Sequence, residues 1–480
     1  MYKKLIIQTI IYFIGSIFPK IINYFFLKFF TNFLKIGEFS LYTDMYALSF
    51  LVIGFLSFGL ENTYFRFISK KKYNKEIIFS TAVLLQLFIT SFFLIIFLFS
   101  IKYIVFITGY KNHTEYFFMF FLIIFFDTIC ILPMAWLRAN EMALKYTIIN
   151  IINIIIQSIL IIFYFYSYKK NFINDYYYNW INSFTDKTGY IFFSNMISSF
   201  SNCILILPLC LKKVTIKKFN KNIAKEMLNY GIPIMLGTIA FSINENLDKI
   251  LIKRWLTDEI NGAYSACYKI SSFMSLYIRA FRLGIEPFFF KKSKDSNAIF
   301  YYEEITYLFI LFGLIFYVLI CGNISFIIDF FIDKKYHTAI SIIPIVMMGN
   351  LFLGIYTNLS IFYKIIDKPI IGTYISLIGV LITILFNIIF VLIPNNNFMI
   401  PAWGTMASYG SMVIFLYFWG KKNFNNFYKK IWKILFHLLL AISLVLYMEI
   451  YESKINIRLF LELLYLIFIF LFDIYKFIYK

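Results

Sequence analysis

Residues 37–66 read GEFSLYTDMYALSFLVIGFLSFGLENTYFR, and residues 262–291 read GAYSACYKISSFMSLYIRAFRLGIEPFFFK. Set 225 positions apart, the stretches pair Gly37 with Gly262, Ser40 with Ser265, Leu51 with Leu276 and Ile53 with Ile278. Gly59 then meets Gly284, Glu61 meets Glu286 and Phe65 meets Phe290, which makes seven identities over 30 positions. Apolar matches are cheap in a chain with 62 Phe, but the Gly and Glu pairs are not. A repeat of this size in a membrane protein implies two similar lobes with a site between them. It points to a transporter more than to an enzyme.

The membrane setting follows from composition. The chain has 480 residues, 61% of them hydrophobic, and a mean hydropathy of +0.77. Soluble domains sit at about 45–50% apolar. Apolar runs of about 20 residues recur throughout, so this is an all-α polytopic membrane protein. The alternating ten-residue segments of a closed barrel are absent. Backbone groups in lipid must pair within their own segment, which makes the spans helical. Met1–Lys4 leads straight into a span that can act as its own insertion signal. The five cysteines lie in apolar spans with no CxxC, and His113, His337 and His437 are scattered. No disulfide, metal or cofactor role is read from them.

Fourteen spans are expected, at about 5–30, 41–60, 77–101, 116–137, 146–168, 190–211, 231–254, 262–290, 303–328, 339–362, 370–393, 399–419, 431–449 and 457–478. Residues 1–211 would form one six-helix lobe and 231–420 a second. Residues 212–230 would be a basic cytoplasmic linker, and 421–480 would add two C-terminal helices. Six helices per lobe is an even number, so the lobes form a parallel pseudo-twofold repeat about the membrane normal. With both termini cytoplasmic, inner segments hold 26 Lys and Arg and outer segments 12. That bias supports the orientation. It also accounts for the net charge of +20 through anionic lipid headgroups, with no need of nucleic acid. The outer loop 169–189 carries Tyr176-Tyr177-Tyr178 and Trp180, an interfacial anchor or a contact for sugar at the exit.

Ionisable residues inside spans cost on the order of 2.5–3.5 kcal/mol each, so they concentrate the functional signal. Span 1 contains Lys20, beside Pro19, and no acid. Span 7 contains Glu245, Asp248 and Lys249, with Glu245 and Lys249 spaced to pair on one face. Span 8 carries Lys269, Arg279, Arg282 and Glu286. On a continuous helix, Arg279, Arg282 and Glu286 fall within about 60° of one another, with Lys269 on an adjacent strip. At about 1.5 Å per residue the three cations make a ladder through the span. The repeat places Arg279 and Arg282 opposite Gly54 and Ser57, and Lys269 opposite Asp44. Cations at that depth suit an anionic substrate: Arg binds phosphate oxygens bidentately and Lys acts as a point charge. The alternative is internal pairing with Asp248, Glu286 or Asp127. The substrate-binding set expected from the residues is therefore Lys20, Asp248, Lys249, Lys269, Arg279, Arg282 and Glu286. No Walker motif, glycine-rich phosphate loop or HExxH pair occurs.

The chain resembles the oligosaccharide flippases of the multidrug/oligosaccharidyl-lipid/polysaccharide exporter superfamily. The resemblance rests on Asn229-Tyr230-Gly231-Ile232-Pro233, Asp248-Lys249, Gly262-Ala263-Tyr264-Ser265 and Glu286-Pro287-Phe288-Phe289-Phe290. The stretches Gly37–Tyr42 to Arg66-Phe67 and Leu392-Ile393-Pro394 to Ala402-Trp403-Gly404-Thr405 extend it over about residues 1–420. Lys249 stands where Arg is usual, and Trp403 where a small residue is usual. The resemblance implies two six-helix bundles in a V, alternating between inward and outward openings. The implied cargo is a polyprenyl-pyrophosphate-linked oligosaccharide, moved from the cytoplasmic to the outer leaflet of the bacterial inner membrane for O-antigen, capsule or exopolysaccharide assembly. A head with negative charges gains about 2.3 kcal/mol per charge per 100 mV on leaving a negative-inside cell. The resemblance leaves room for a coupling proton or sodium ion, with Asp248, Glu245 and Asp127 as acids, and for a polysaccharide polymerase complex as partner.

Three other readings compete. A lipid II flippase would carry an Arg- and Asp-bearing motif at the exit of span 1, where this chain has Phe30–Gly37. A cation-coupled multidrug exporter would carry acids in span 1. A membrane glycosyltransferase or polysaccharide polymerase would need a catalytic carboxylate or a large outer loop rich in Arg and His.

Overall fold

A computed structural model describes residues 2–69, 73–111, 113–170, 184, 186–292, 298–366, 368, 370–393, 397–424, 430–450 and 455–474. Among them, every regular element is helical. In chain order the helices are α1 Tyr2–Phe33, α2 Ile36–Leu56, α3 Leu60–Ser69, α4 Lys75–Thr108, α5 Thr114–Ala139 and α6 Ala143–Lys170. Then come α7 Thr188–Lys213, α8 Lys221–Trp255, α9 Asp258–Ser271, α10 Phe273–Lys292, α11 Ala298–Gly322 and α12 Ile324–Phe331. The chain closes with α13 Ile342–Leu359, α14 Ile361–Ile365, α15 Ile370–Leu392, α16 Met399–Asn423, α17 Ile431–Ile450 and α18 Ile455–Ile469.

Eleven helices among the described residues have the length and hydropathy to cross a membrane. They coincide with eleven of the expected spans. The other three expected spans fall on α1, on the pair α9 and α10, and on α18. α4 shows how composition is used here. Phe88, Phe92, Phe99 and Phe106 recur at helical spacing and stay uncovered, a face made for lipid. Phe79, Ala82, Val83 and Leu85 are buried within the protein. Asn74 caps the start of α4, its side chain accepting from the Glu76 N–H at 2.9 Å.

The chain forms two compact units, 1–246 and 247–480. In the first, α5 packs on α4 and α7, and α6 on α1 and α7. In the second, α13 packs on α16, α11, α9 and α10, while α17 and α18 lie on α11. The division falls inside α8. The basic 212–230 segment is fastened to α4: Ser80 donates to the Lys213 carbonyl at 3.3 Å, the Asn220 N–H donates to Thr81 at 3.1 Å, and Lys218 pairs with Glu76 at 2.5 Å.

Both repeat copies are interrupted, at different registers. The first breaks at Ser57-Phe58-Gly59, where Gly59 has φ +60° and the carbonyl of Gly231 would lie 2.6 Å from any Cβ placed on it. A Cβ on Gly231 would in turn strike the Phe58 carbonyl. The second copy breaks at Ser272, so the single continuous span 8 of the sequence reading is corrected to two helices. The Ser272 hydroxyl donates to the Lys269 carbonyl at 2.6 Å, and Asn350 donates to the Ser271 carbonyl at 3.2 Å. A Ser-Ser pair competing for its own helix backbone is a known cause of a kink.

Candidate functional site

α10 brings the two arginines together. Tyr277, Ile278 and Phe281 form its packed face. Tyr277 donates to the Phe309 carbonyl at 2.6 Å and stacks on the Phe309 ring at 5.1 Å. Gly354 lets α13 approach: a Cβ there would come within 2.8 Å of Ile278. With that face fixed, Arg279 and Arg282, three residues apart, lie on a strip beside it, and both are exposed. Lys269 is half-buried in the last turn of α9, across the break at Ser272. The expected ladder on one helix is therefore not continuous: the projection that linked Lys269 to the arginines assumed unbroken helix. Lys20 is half-buried in α1, in the other unit. The side chain of Glu286 and the loop residues Tyr176–Tyr178 and Trp180 lie outside the described residues.

Asp248 and Lys249 form a different kind of group. They are 2% and 8% exposed. Asp248 Oδ1 accepts from the Lys249 ammonium at 3.1 Å and from its backbone N–H at 2.8 Å. Tyr264 donates to Oδ2 at 2.6 Å. The Lys249 ammonium also stands 3.3 Å above the centre of the Tyr268 ring. The pair is neutral, buried and enclosed by aromatic side chains. Sequence reasoning named the charges and missed Tyr264 and Tyr268 as partners, although Tyr264 lies in the quoted Gly262–Ser265 stretch. In the first unit the buried carboxylate is Asp44, 0% exposed, which accepts from Tyr110 at 2.5 Å. At its other end Arg138 pairs with Glu61, and Arg66 lies 3.8 Å over the ring of Tyr230.

The geometry can therefore do two things. It offers a pair of exposed arginines on one helix to an anion. It holds the turn between α8 and α9 with a buried ion pair, helped by the Thr257 cap on the Ile260 N–H at 3.2 Å.

Among the described residues every regular element is helical, the chain forms two compact units, and eleven helices can cross a membrane, which is the architecture of a membrane transporter. A family model described as polysaccharide biosynthesis protein matches residues 5–292, and the chain belongs to that family. Its fold is similar to that of a structure titled lipid II flippase MurJ, inward closed conformation, with a TM-score of 0.72, 18% identity and 99% of each chain covered. It is also similar to an inward-facing multidrug resistance MATE family transporter of the MOP superfamily, with a TM-score of 0.61, 12% identity, and 87% of this chain and 94% of that one covered. A MATE structure in complex with MaD5 gives a TM-score of 0.64 at 15% identity, covering 88% of this chain and 95% of that one. No curated protein matches the chain.

Proposed function

We propose that this protein carries a polyprenyl-pyrophosphate-linked oligosaccharide from the cytoplasmic to the outer leaflet of the bacterial inner membrane, by alternating access, to supply O-antigen, capsule or exopolysaccharide assembly. The observation that carries this reading is the exposed pair Arg279 and Arg282 on α10. In this reading α10 lies at membrane depth, where an arginine is costly unless water or an anion is at hand. A pyrophosphate supplies the anion, and two guanidinium groups can grip it bidentately. Membership of a polysaccharide biosynthesis family supports this cargo class. Lys269 and Lys20 are the further cations of this reading, one in each unit. Asp248 and Lys249, closed on each other, position α9 and do not meet the cargo. A proton or sodium ion is the coupling species in this reading.

The whole-length likeness to a lipid II flippase favours one second reading, in which the cargo is lipid II. The two differ in what accumulates when transport stops. In a strain lacking its oligosaccharide flippase, this chain should restore surface polysaccharide. Arg279→Ala/Arg282→Ala should reduce that export at least a hundredfold at equal membrane protein level, about tenfold or more per arginine for a lost charge-assisted hydrogen bond. The Arg→Lys variants should keep part of it, because charge survives while the fork does not. Full export by the double alanine variant would remove the arginines from the site. Rescue of a lipid II flippase deletion, with no effect on surface polysaccharide, would select the second reading.

A further inference from the structure

The last two helices carry ionisable side chains where an apolar seam would suffice. α17 and α18 dock on α11, and near the end of that seam Tyr307, His437 and Asp473 meet. Tyr307 donates to Asp473 Oδ1 at 2.6 Å. His437 Nε2 lies 3.0 Å from Asp473 Oδ2, so the carboxylate is held at both oxygens. The side chains of His437 and Asp473 are 4% and 7% exposed. Asp473 belongs to a wide π-type turn, Phe470–Ile474, a geometry frequent at functional positions.

With the Nε2 proton directed at Asp473, Nδ1 of His437 carries a lone pair. That nitrogen is buried and has no hydrogen-bond partner among the described residues. The rings of Phe436 and Phe468 flank the imidazole at 5.6 and 6.0 Å. The charged and titratable groups that face it are Asp473 after α18, Tyr307 from α11 and Lys433 on its own helix, and the neighbouring Lys430 is held by Glu303 and Glu304 of α11. Lys430 is already engaged: its ammonium bonds Glu304 and its backbone N–H bonds Glu303. With Glu303 and Glu304 turned to Lys430, the carboxylate that faces the imidazole is Asp473, and a proton on His437 balances it.

We propose that His437, Asp473 and Tyr307 form a proton-binding site between α11 and the last two helices. Nδ1 of His437 takes the proton from water, Asp473 balances the imidazolium, and Tyr307 fixes the carboxylate. The site lies beyond residues 5–292, the part matched by the family model, and uses none of the cations assigned to the cargo.

The test is a titration of the whole chain in lipid nanodiscs with ¹⁵N-labelled histidine. The three imidazoles are His113, His337 and His437, and His437→Gln identifies the signal of interest. Between about pH 8 and pH 5 the His437 Nδ1 resonance should move from a bare to a protonated ring nitrogen, with Nε2 protonated throughout. Asp473→Asn should abolish that uptake within the same range, and Tyr307→Phe should retain it. A seam that is only structural would lose thermal stability in Asp473→Asn while His437 titrated as in the parent. That result, or a His437 ring unchanged across the range in the unaltered protein, overturns the proposal. If Asp473→Asn does not fold, the titration of the unaltered protein still decides.

Discussion

The phenol of Tyr264 donates to a carboxylate that is 2% exposed and already holds a lysine. A hydrogen bond to a buried charge contributes about 1.5–3 kcal/mol, and removing the charge itself leaves Lys249 buried without its counterion at about 3–5 kcal/mol. Thermal unfolding of the detergent-purified protein should therefore rank Tyr264→Phe below the parent and Asp248→Ala well below both. Equal midpoints for all three would show that the group carries no stability. At this scale the sequence is informative about charge and silent about partners. Arg279 and Arg282 stand out because the matching positions in the other repeat copy are Gly54 and Ser57. The spacing of four between Glu245 and Lys249 suggests a pair along the helix. It gives no sign that Lys249 also meets its neighbour Asp248, or that tyrosines of the next helix, after a turn at Leu256-Thr257, join the group. His437 and Asp473 pose the same problem: each is an isolated polar residue in an apolar run, and only the hairpin of α17 and α18 joins them.

Helices are legible from apolar runs, but their interruptions are not, because the run continues through Ser57–Gly59 and through Ser272. What breaks them is local hydroxyl-to-carbonyl bonding and a contact from a distant helix, neither of which alters hydropathy. The crossing of Gly59 and Gly231 is the tighter case. A methyl group on Gly231 meets the Phe58 carbonyl, an unyielding backbone atom. Gly231→Ala should thus cost about 1–3 kcal/mol by overpacking. Fluorescence-detected size exclusion after heating should read this as a lowered apparent Tm, whereas Gly109→Ala, whose Cβ would meet nothing within 4 Å, bears only its backbone strain. An Ala at 231 that melts with the parent would mean the crossing can relax.

For the whole molecule, loop charge predicts the orientation. The 26-to-12 distribution of Lys and Arg expects both termini and residue 220 on the cytoplasmic side. A cysteine at Asn220 should stay unlabelled by a membrane-impermeant maleimide in intact cells and react after lysis; labelling in intact cells would reverse the topology. The basic stretch 212–230 has the composition of a linker, but Ser80, Thr81 and Glu76 of α4 hold it, and side-chain bonds across more than 130 residues leave no periodic trace. The buried pair on α8 also bears on biogenesis. α8 shares the lowest mean hydropathy of the eleven spans, 1.2, and its charges are enclosed only when Tyr264 and Tyr268 arrive. At ribosomal speeds of about 5–20 residues per second, those tyrosines are made about one to four seconds after Lys249. During that interval α8 is a poor guest for lipid on its own. The insertion machinery must therefore retain it until α9 follows, so that the two helices leave for the bilayer as a hairpin.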